Sequence, residues 1–192
     1  MFAGGRATRL GGVNKALLEV GGEPIVLRIV RELRPLVDEV VLLANDHDLA
    51  GVLPEAHVVF DPQPHAGVLP ALAAGLAAAR GEVCLAVACD MPFASRRVFE
   101  LLLGMDADVA IPRTQGYLEP MHAVYRRVTV LGAIQAALGR GEQRMISYFA
   151  DVRVREVSEA EWRPLCPDGR AFFNVNTPED LGRAQRLASQ DV

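Results

Sequence analysis

The chain has 192 residues, 51% of them hydrophobic and 23% charged, with a net charge of −4 at pH 7. That length and composition suit one soluble globular domain spanning residues 1–192, and they exclude a collagen-like, low-complexity or disordered chain. The negative balance gives no whole-molecule attraction to nucleic acid or acidic membrane. No apolar run is long enough to span a bilayer, and three cysteines (84, 89 and 166) do not make a disulfide framework.

The chain opens "MFAGGRATRLGGVNKALLEVGG". Four glycines (4, 5, 11 and 12) fall in the first fifteen residues, Arg6, Arg9 and Lys15 are basic, and no acid precedes Glu19. Backbone N–H groups can wrap a phosphate only where side chains do not obstruct the approach, which glycine permits. The stretch therefore reads either as a phosphate cradle or as an ordinary glycine turn with solvated basic residues. It is neither a P-loop, which needs Gly-Lys-Ser/Thr, nor the G-x-G-x-x-G dinucleotide fingerprint.

Next comes "EPIVLRIVRELRPLV", with Pro24 near a helix start and Val26, Ile29, Val30 and Leu33 on one face. "EVVLLA" (39–44), "HVVF" (57–60) and "EVCLAVAC" (82–89) are continuous apolar runs, predicted as strands buried on both faces. "LPALAAGLAAAR" (69–80) is an alanine-rich helix. Ser95 caps a helix through "RRVFELLL". Strands are predicted at 108–112 and 122–126, helices at 128–139 and 142–150, and a more exposed strand at 152–157. The last helix starts at "TPEDL", with Thr177 as cap, Pro178 first and Asp180 third. This βαβα order predicts an α/β domain with a mostly parallel sheet and helices on both faces.

Asp90 directly follows the third apolar run, in "ACDMPF". Ligands of open α/β sheets gather at the carboxyl ends of strands, and a carboxylate there can hold a magnesium ion that bridges phosphates. A turn cap is the other reading of Asp90. Cys89 reads as a small buried residue rather than a nucleophile, having no histidine near it in sequence. Trp162 has no assignable role from sequence.

"FAGGRATRLGGVNKALLEVGGEPI" resembles the signature LAGGxSxRMGxxKxLLxxxGxP of the molybdenum cofactor guanylyltransferase family. "CDMPF", "EPMHAVYR" and "FNVNTPEDL" resemble its later motifs, in order, so the resemblance covers essentially the whole chain. It implies a three-layer α/β/α, Rossmann-like nucleotidyltransferase fold. It also implies a cytoplasmic enzyme that moves GMP from GTP onto molybdenum-bound molybdopterin with magnesium. Ala3, Gly4 and Gly5 would lie along the triphosphate with Arg9, Lys15 would neutralise phosphate charge, and Asp90 would bind magnesium and nucleotide. Asn45 and Asp61 match positions that read guanine. Glu119, Pro120 and His122, with Asn174 and Asn176, would face the pterin. Expected partners are these substrates and, transiently, molybdenum-insertion proteins or apo-molybdoenzymes. Nucleic acid and membrane are not expected.

Two departures accompany the resemblance. The family places a strand of about six residues before its first glycines, whereas Met1 and Phe2 alone precede Ala3, so either the start site is misassigned or the first strand is a stub with a weakly anchored loop. "GVLPAL" (67–72) stands where the family reads GPLAGL. The alternatives are a cytidylyltransferase on the same pterin and a nucleotide-binding module without turnover. "FAGG" and Asn176 weigh against the cytidylyl form, whose relatives tend to read LAAG and to carry Asp at the latter position.

Overall fold

The computed structural model describes residues 1–3, 6–7, 13–44, 49, 51–60 and 67–190. In chain order the elements are β1 (Arg6–Ala7), β2 (Val13–Asn14), β3 (Glu19–Val20), β4 (Glu23–Pro24), α1 (Ile25–Leu33), β5 (Val41–Ala44), β6 (His57–Phe60), α2 (Val68–Ala78), β7 (Val83–Val87) and α3 (Arg96–Leu103). They continue with β8 (Val109–Thr114), β9 (Tyr117–Leu118), β10 (His122–Arg126), α4 (Arg127–Gly139), β11 (Val154–Val157), α5 (Glu159–Trp162) and α6 (Pro178–Ala188).

The main sheet runs β11-β8-β10-β7, with β9 on the far end of β8. Among its pairings only β8 with β11 is parallel. The expected mostly parallel sheet is therefore corrected for this sheet. Too few residues join Thr114 to His122 for a crossover helix, so the chain turns back as a hairpin and β10 enters antiparallel between β8 and β7. The pair β5–β6 is parallel. Met1–Ala3 join it to β7: Phe2 bridges in parallel to Leu43 and to Ala88. Its amide donates to the Val87 carbonyl at 2.9 Å, and that of Ala3 to the Leu43 carbonyl at 2.8 Å.

Side chains of the main sheet alternate between two apolar clusters, as the two-residue strand period requires. Val87, Ala110, Val124 and Val157 pack with Ile29 and Leu33 of α1, Phe99 and Leu102 of α3, Ala184 of α6 and Trp162. Ala86, Val109, Ile111, Ala123 and Tyr125 pack with Leu72 and Leu76 of α2, Ile134 of α4, and Tyr148. Trp162, unassigned from sequence, is thus a core anchor, and its indole N–H donates to the Arg113 carbonyl at 3.0 Å. Gly75 lets α2 lie against β5, because a Cβ there would meet the Leu43 side chain at 2.9 Å.

Two local expectations are corrected. β6 is not buried on both faces: His57 and Phe60 are exposed, since β6 pairs with β5 alone among the described residues. The stretch 142–150 forms no α-helix. Gly141 adopts φ +79° and the chain turns, leaving only a 3-10 turn at Ser147–Asp151.

Candidate active site

Asp90 lies past the carboxyl end of β7, and the short strand Met1–Ala3 ends beside it, with the Cys89 amide donating to the Phe2 carbonyl at 2.9 Å. Lys15 starts a 3-10 turn capped by Asn14, whose side-chain oxygen accepts from the Ala16 amide at 3.0 Å. That cap aims the lysine across the sheet edge. Its Nζ donates to Asp90 Oδ2 at 3.1 Å and to Asn176 Oδ1 at 2.5 Å. A cavity of about 60 Å³ beside this cluster is lined by Ala3, Asn14, Lys15, Cys89 and Asp90 among others.

Asn176 arrives from the far end of the chain. The Val175 amide donates to the Asp90 carbonyl at 2.8 Å, fixing the segment to the strand end. Asp180 then closes a capping box: its carboxylate accepts from the amides of Asn176 and Thr177, and its own amide donates to Thr177 Oγ1. The cap that begins α6 thus also sets Asn176 in place. Asn174 faces back, donating from Nδ2 to the Phe172 carbonyl at 3.2 Å.

β10 runs opposite to β7 with His122 across from Val87, so Glu119–Met121 lie at the same sheet edge as Asp90; the Ala88 amide donates to the Met121 carbonyl at 3.0 Å. The Glu119 carboxylate accepts from the Thr114 hydroxyl, and burial raises its pKa above the ordinary carboxylate value. The Pro120 carbonyl accepts from Tyr125 Oη at 2.6 Å. His122 does not present its ring to an open surface: it is 0% exposed, stacked on Phe99 with ring centres 4.4 Å apart and tilted against Phe172 at 4.8 Å. Both ring nitrogens lack a partner among the described residues, and burial pushes its pKa down to about 3. Cys89 is buried, with its thiol pushed up to about 12 by desolvation, which suits the small core residue read from sequence.

The structure therefore brings Ala3, Lys15, Asp90 and Asn176 to one place, with Glu119 and Pro120 on the same edge and His122 sealed beneath it. Gly4, Gly5, Arg9, Asn45 and Asp61 lie outside the described residues. Sequence reasoning missed Asn14, which orients the Lys15 turn; its signal was an Asn one position before a short helical turn. It also missed Phe172, which covers His122 and left no sequence signal. Gly67, at φ +106°, precedes α2, where only glycine is comfortable, and Pro70 sits in the helix's first turn as expected.

Among the described residues, no three His, Cys, Asp or Glu side chains gather as a metal site. Asp90 nonetheless suits a magnesium ion. Its Oδ1 is buried without a partner among the described residues, and magnesium is commonly held by one or two carboxylates with phosphate and water completing the shell.

Solved structures place this architecture in a class. Molybdopterin-guanine dinucleotide biosynthesis protein A from Archaeoglobus fulgidus superposes with a TM-score of 0.80 at 25% identity, covering 98% of this chain and 97% of that one. A 2-C-methyl-D-erythritol 4-phosphate cytidylyltransferase from Thermus thermophilus shares the fold, with a TM-score of 0.70 at 19% identity, covering 97% and 96%. The fold is that of a nucleotidyltransferase. Residues 1–156 match the model of the MobA-like NTP transferase domain. A probable molybdenum cofactor guanylyltransferase of Pelotomaculum thermopropionicum is 37% identical over 98% of this chain and 91% of its own. One from Methanosarcina mazei is 38% identical over 94% and 86%. The chain belongs to the MobA-like NTP transferase family.

Proposed function

We propose that this chain, as one domain on a three-layer α/β/α frame, transfers GMP from GTP to the terminal phosphate of molybdenum-bound molybdopterin and releases pyrophosphate. The observation that carries the reading is the Lys15 ammonium held between Asp90 and Asn176 at the carboxyl ends of the strands. The names of the relatives support guanine and the pterin as substrates. A pterin phosphate oxygen attacks the α-phosphorus of GTP, a new P–O bond forms, and the bond to the β-phosphate oxygen breaks. The nucleophile is already ionised, so this chain need not remove a proton from it.

Catalysis then rests on placement and charge. Lys15 offers a cation that leaves its contacts with Asp90 and Asn176 for the phosphate charge that grows as pyrophosphate departs. Asn176, freed of the lysine, can turn its amide toward the acceptor, with Glu119 and Pro120 bordering the same edge. Asp90 would hold magnesium, through an Oδ1 that has no partner among the described residues. When bound, the ion would supply positive charge across the phosphates. Arg9, Gly4 and Gly5 complete the phosphate cradle in this reading, and Asn45 and Asp61 select the base. The reaction belongs in the cytoplasm, where reduced Cys84, Cys89 and Cys166 are at home, with brief contact to molybdenum-insertion proteins or apo-molybdoenzymes. Among the described residues no helix is long and apolar enough to cross a membrane.

The test is pyrophosphate release with each of the four nucleoside triphosphates, magnesium and the pterin acceptor. GTP should be used far better than CTP, ATP or UTP. Preference for CTP would make the chain a cytidylyltransferase, and no release with any of them would make it a binding module.

A further inference from the structure

The hairpin that carries β8 into β9 holds an aromatic ring out from the sheet. Thr114 faces Tyr117 across it, and Gln115 and Gly116 between them take φ +47° and +85°. Positive φ at both positions makes the tight turn whose twist matches that of the strands. The hairpin is tied down on several sides. Arg113 pairs with Glu156 of β11 at 2.6 Å and donates from Nη1 to the Gly116 carbonyl. The Gln115 amide donates to Glu159 Oε1 of α5 at 2.6 Å, and the Arg113 carbonyl accepts from Trp162. Yet Tyr117 is 76% exposed, the most of any large hydrophobic side chain among the described residues. A fixed turn thus presents a ring that the core does not use.

Register places that ring. Val124 of β10 stands opposite both Leu85 of β7 and Ala110 of β8, so β7 and β8 run in step. The step from Ala110 to Thr114 equals that from Leu85 to Cys89. Thr114, and Tyr117 opposite it, therefore come level with Cys89, one residue before Asp90. β11 fills the far side of β8 as far as Pro112, whose carbonyl accepts from the Glu119 amide, so β9 lies on the side toward β10 and β7. Alternation gives the face. Tyr117 and Glu119 point to one side of β9, and Thr114 joins them from across the ladder, its hydroxyl donating to Glu119 Oε1. Ala110, on that face of β8, packs in the cluster that also takes in Trp162, Phe172, Phe173 and Val175. The segment that leads through Asn174 to Asn176 therefore covers the same face.

An exposed ring beside a half-buried carboxylate, both at the strand ends near Asp90, suits a flat heterocycle with N–H donors along one edge. The pyrimidine edge of a pterin carries a ring N–H next to an amino group, and one carboxylate accepts from both. Resting on the reading that the acceptor is a pterin, we propose that Tyr117 stacks on the face of the acceptor ring while Glu119 accepts from that edge, with Thr114 orienting the carboxylate. Stacking leaves the phosphate-bearing end of the acceptor free to reach Lys15 along the same strand ends. A hairpin tip could equally meet a protein, but the half-buried Glu119 on the same face, level with the Asp90 cluster, favours the small ring.

The test is steady-state transfer with GTP, magnesium and free molybdenum-bound molybdopterin. Tyr117→Ala should raise KM for the pterin about tenfold, the scale of one aromatic stack, and leave KM for GTP within about twofold. Tyr117→Leu, apolar but not flat, should behave like the alanine variant, and Tyr117→Phe like the parent. Glu119→Gln should raise the same pterin KM. Tyr117 is exposed, so its variants should melt with the parent. An unchanged pterin KM in Tyr117→Ala, or a leucine that serves as well as tyrosine, overturns the stacking; an unchanged pterin KM in Glu119→Gln overturns the edge contact. A rise confined to KM for GTP would move Tyr117 to the nucleotide and overturn it too. So would a defect seen only when a protein delivers the pterin, which would make the hairpin tip a protein contact. With an active parent, each of these results leaves the pterin reading standing. A parent that transfers nothing to the pterin removes that reading, and the roles of Tyr117 and Glu119 fall with it.

Discussion

The two oxygens of Asp90 are in unlike situations: Oδ2 takes the Lys15 ammonium, and Oδ1 is buried with no partner among the described residues. Asp90→Asn keeps an oxygen for Lys15 but removes the charge that would hold magnesium. The fold should survive, and turnover should fall by at least ~100-fold, the scale of losing one preorganised electrostatic group. Circular dichroism and pyrophosphate release on the same sample measure both; near-normal turnover would rule out the assignment. Lys15 differs in kind, because phosphate charge grows during the reaction. Lys15→Ala should lower kcat more than it raises KM for GTP. A change confined to KM would reduce Lys15 to ground-state binding. Both residues were legible in the sequence, one beside a glycine-rich basic loop and the other after an apolar run. Their meeting with Asn176 was not, because no local pattern brings residues 15, 90 and 176 together; only the resemblance implied it.

Elements were legible where their signals are local. Ser95 caps α3 through the Val98 amide, and Thr177, Pro178 and Asp180 start α6 as read. What failed was context: "HVVF" is as apolar as a central strand, yet β6 has one neighbour among the described residues, and apolarity alone does not count neighbours. The α6 cap also links stability to the site. Thr177→Ala removes the side-chain acceptor of the Asp180 amide and should cost roughly 0.5–2 kcal/mol. Because Asp180 also holds the Asn176 amide, the same change should raise KM for the pterin acceptor more than KM for GTP. Denaturant unfolding and steady-state kinetics check the two halves separately. An unchanged acceptor KM would confine the capping box to stability.

At the scale of the whole molecule, the α/β class followed from the order of apolar runs. The reversed β10 did not, because a short connection reads as a loop until its ends are known to pair. His122, on that reversed strand, gives the fold an acid sensitivity of its own. It is fully buried between Phe99 and Phe172, and its folded pKa is pushed down to about 3 from an ordinary 6.5. Below pH 6.5 the unfolded chain protonates this imidazole while the folded protein keeps it neutral. The unfolded state then binds the extra proton, so stability present above pH 6.5 is lost progressively as pH falls toward the folded value. The full slope is about 1.4 kcal/mol per pH unit for one proton. His122→Leu removes that proton and also two buried nitrogens without partners among the described residues, so the variant should be no less stable than the parent at pH 7. Between about pH 6 and pH 4 the parent should lose stability faster than the variant, while carboxylate contributions cancel in the difference. Urea unfolding of both proteins across that range measures it. Parallel pH curves would mean that the folded protein opens enough to protonate His122, and that the Phe99–Phe172 seal over the ring is not maintained.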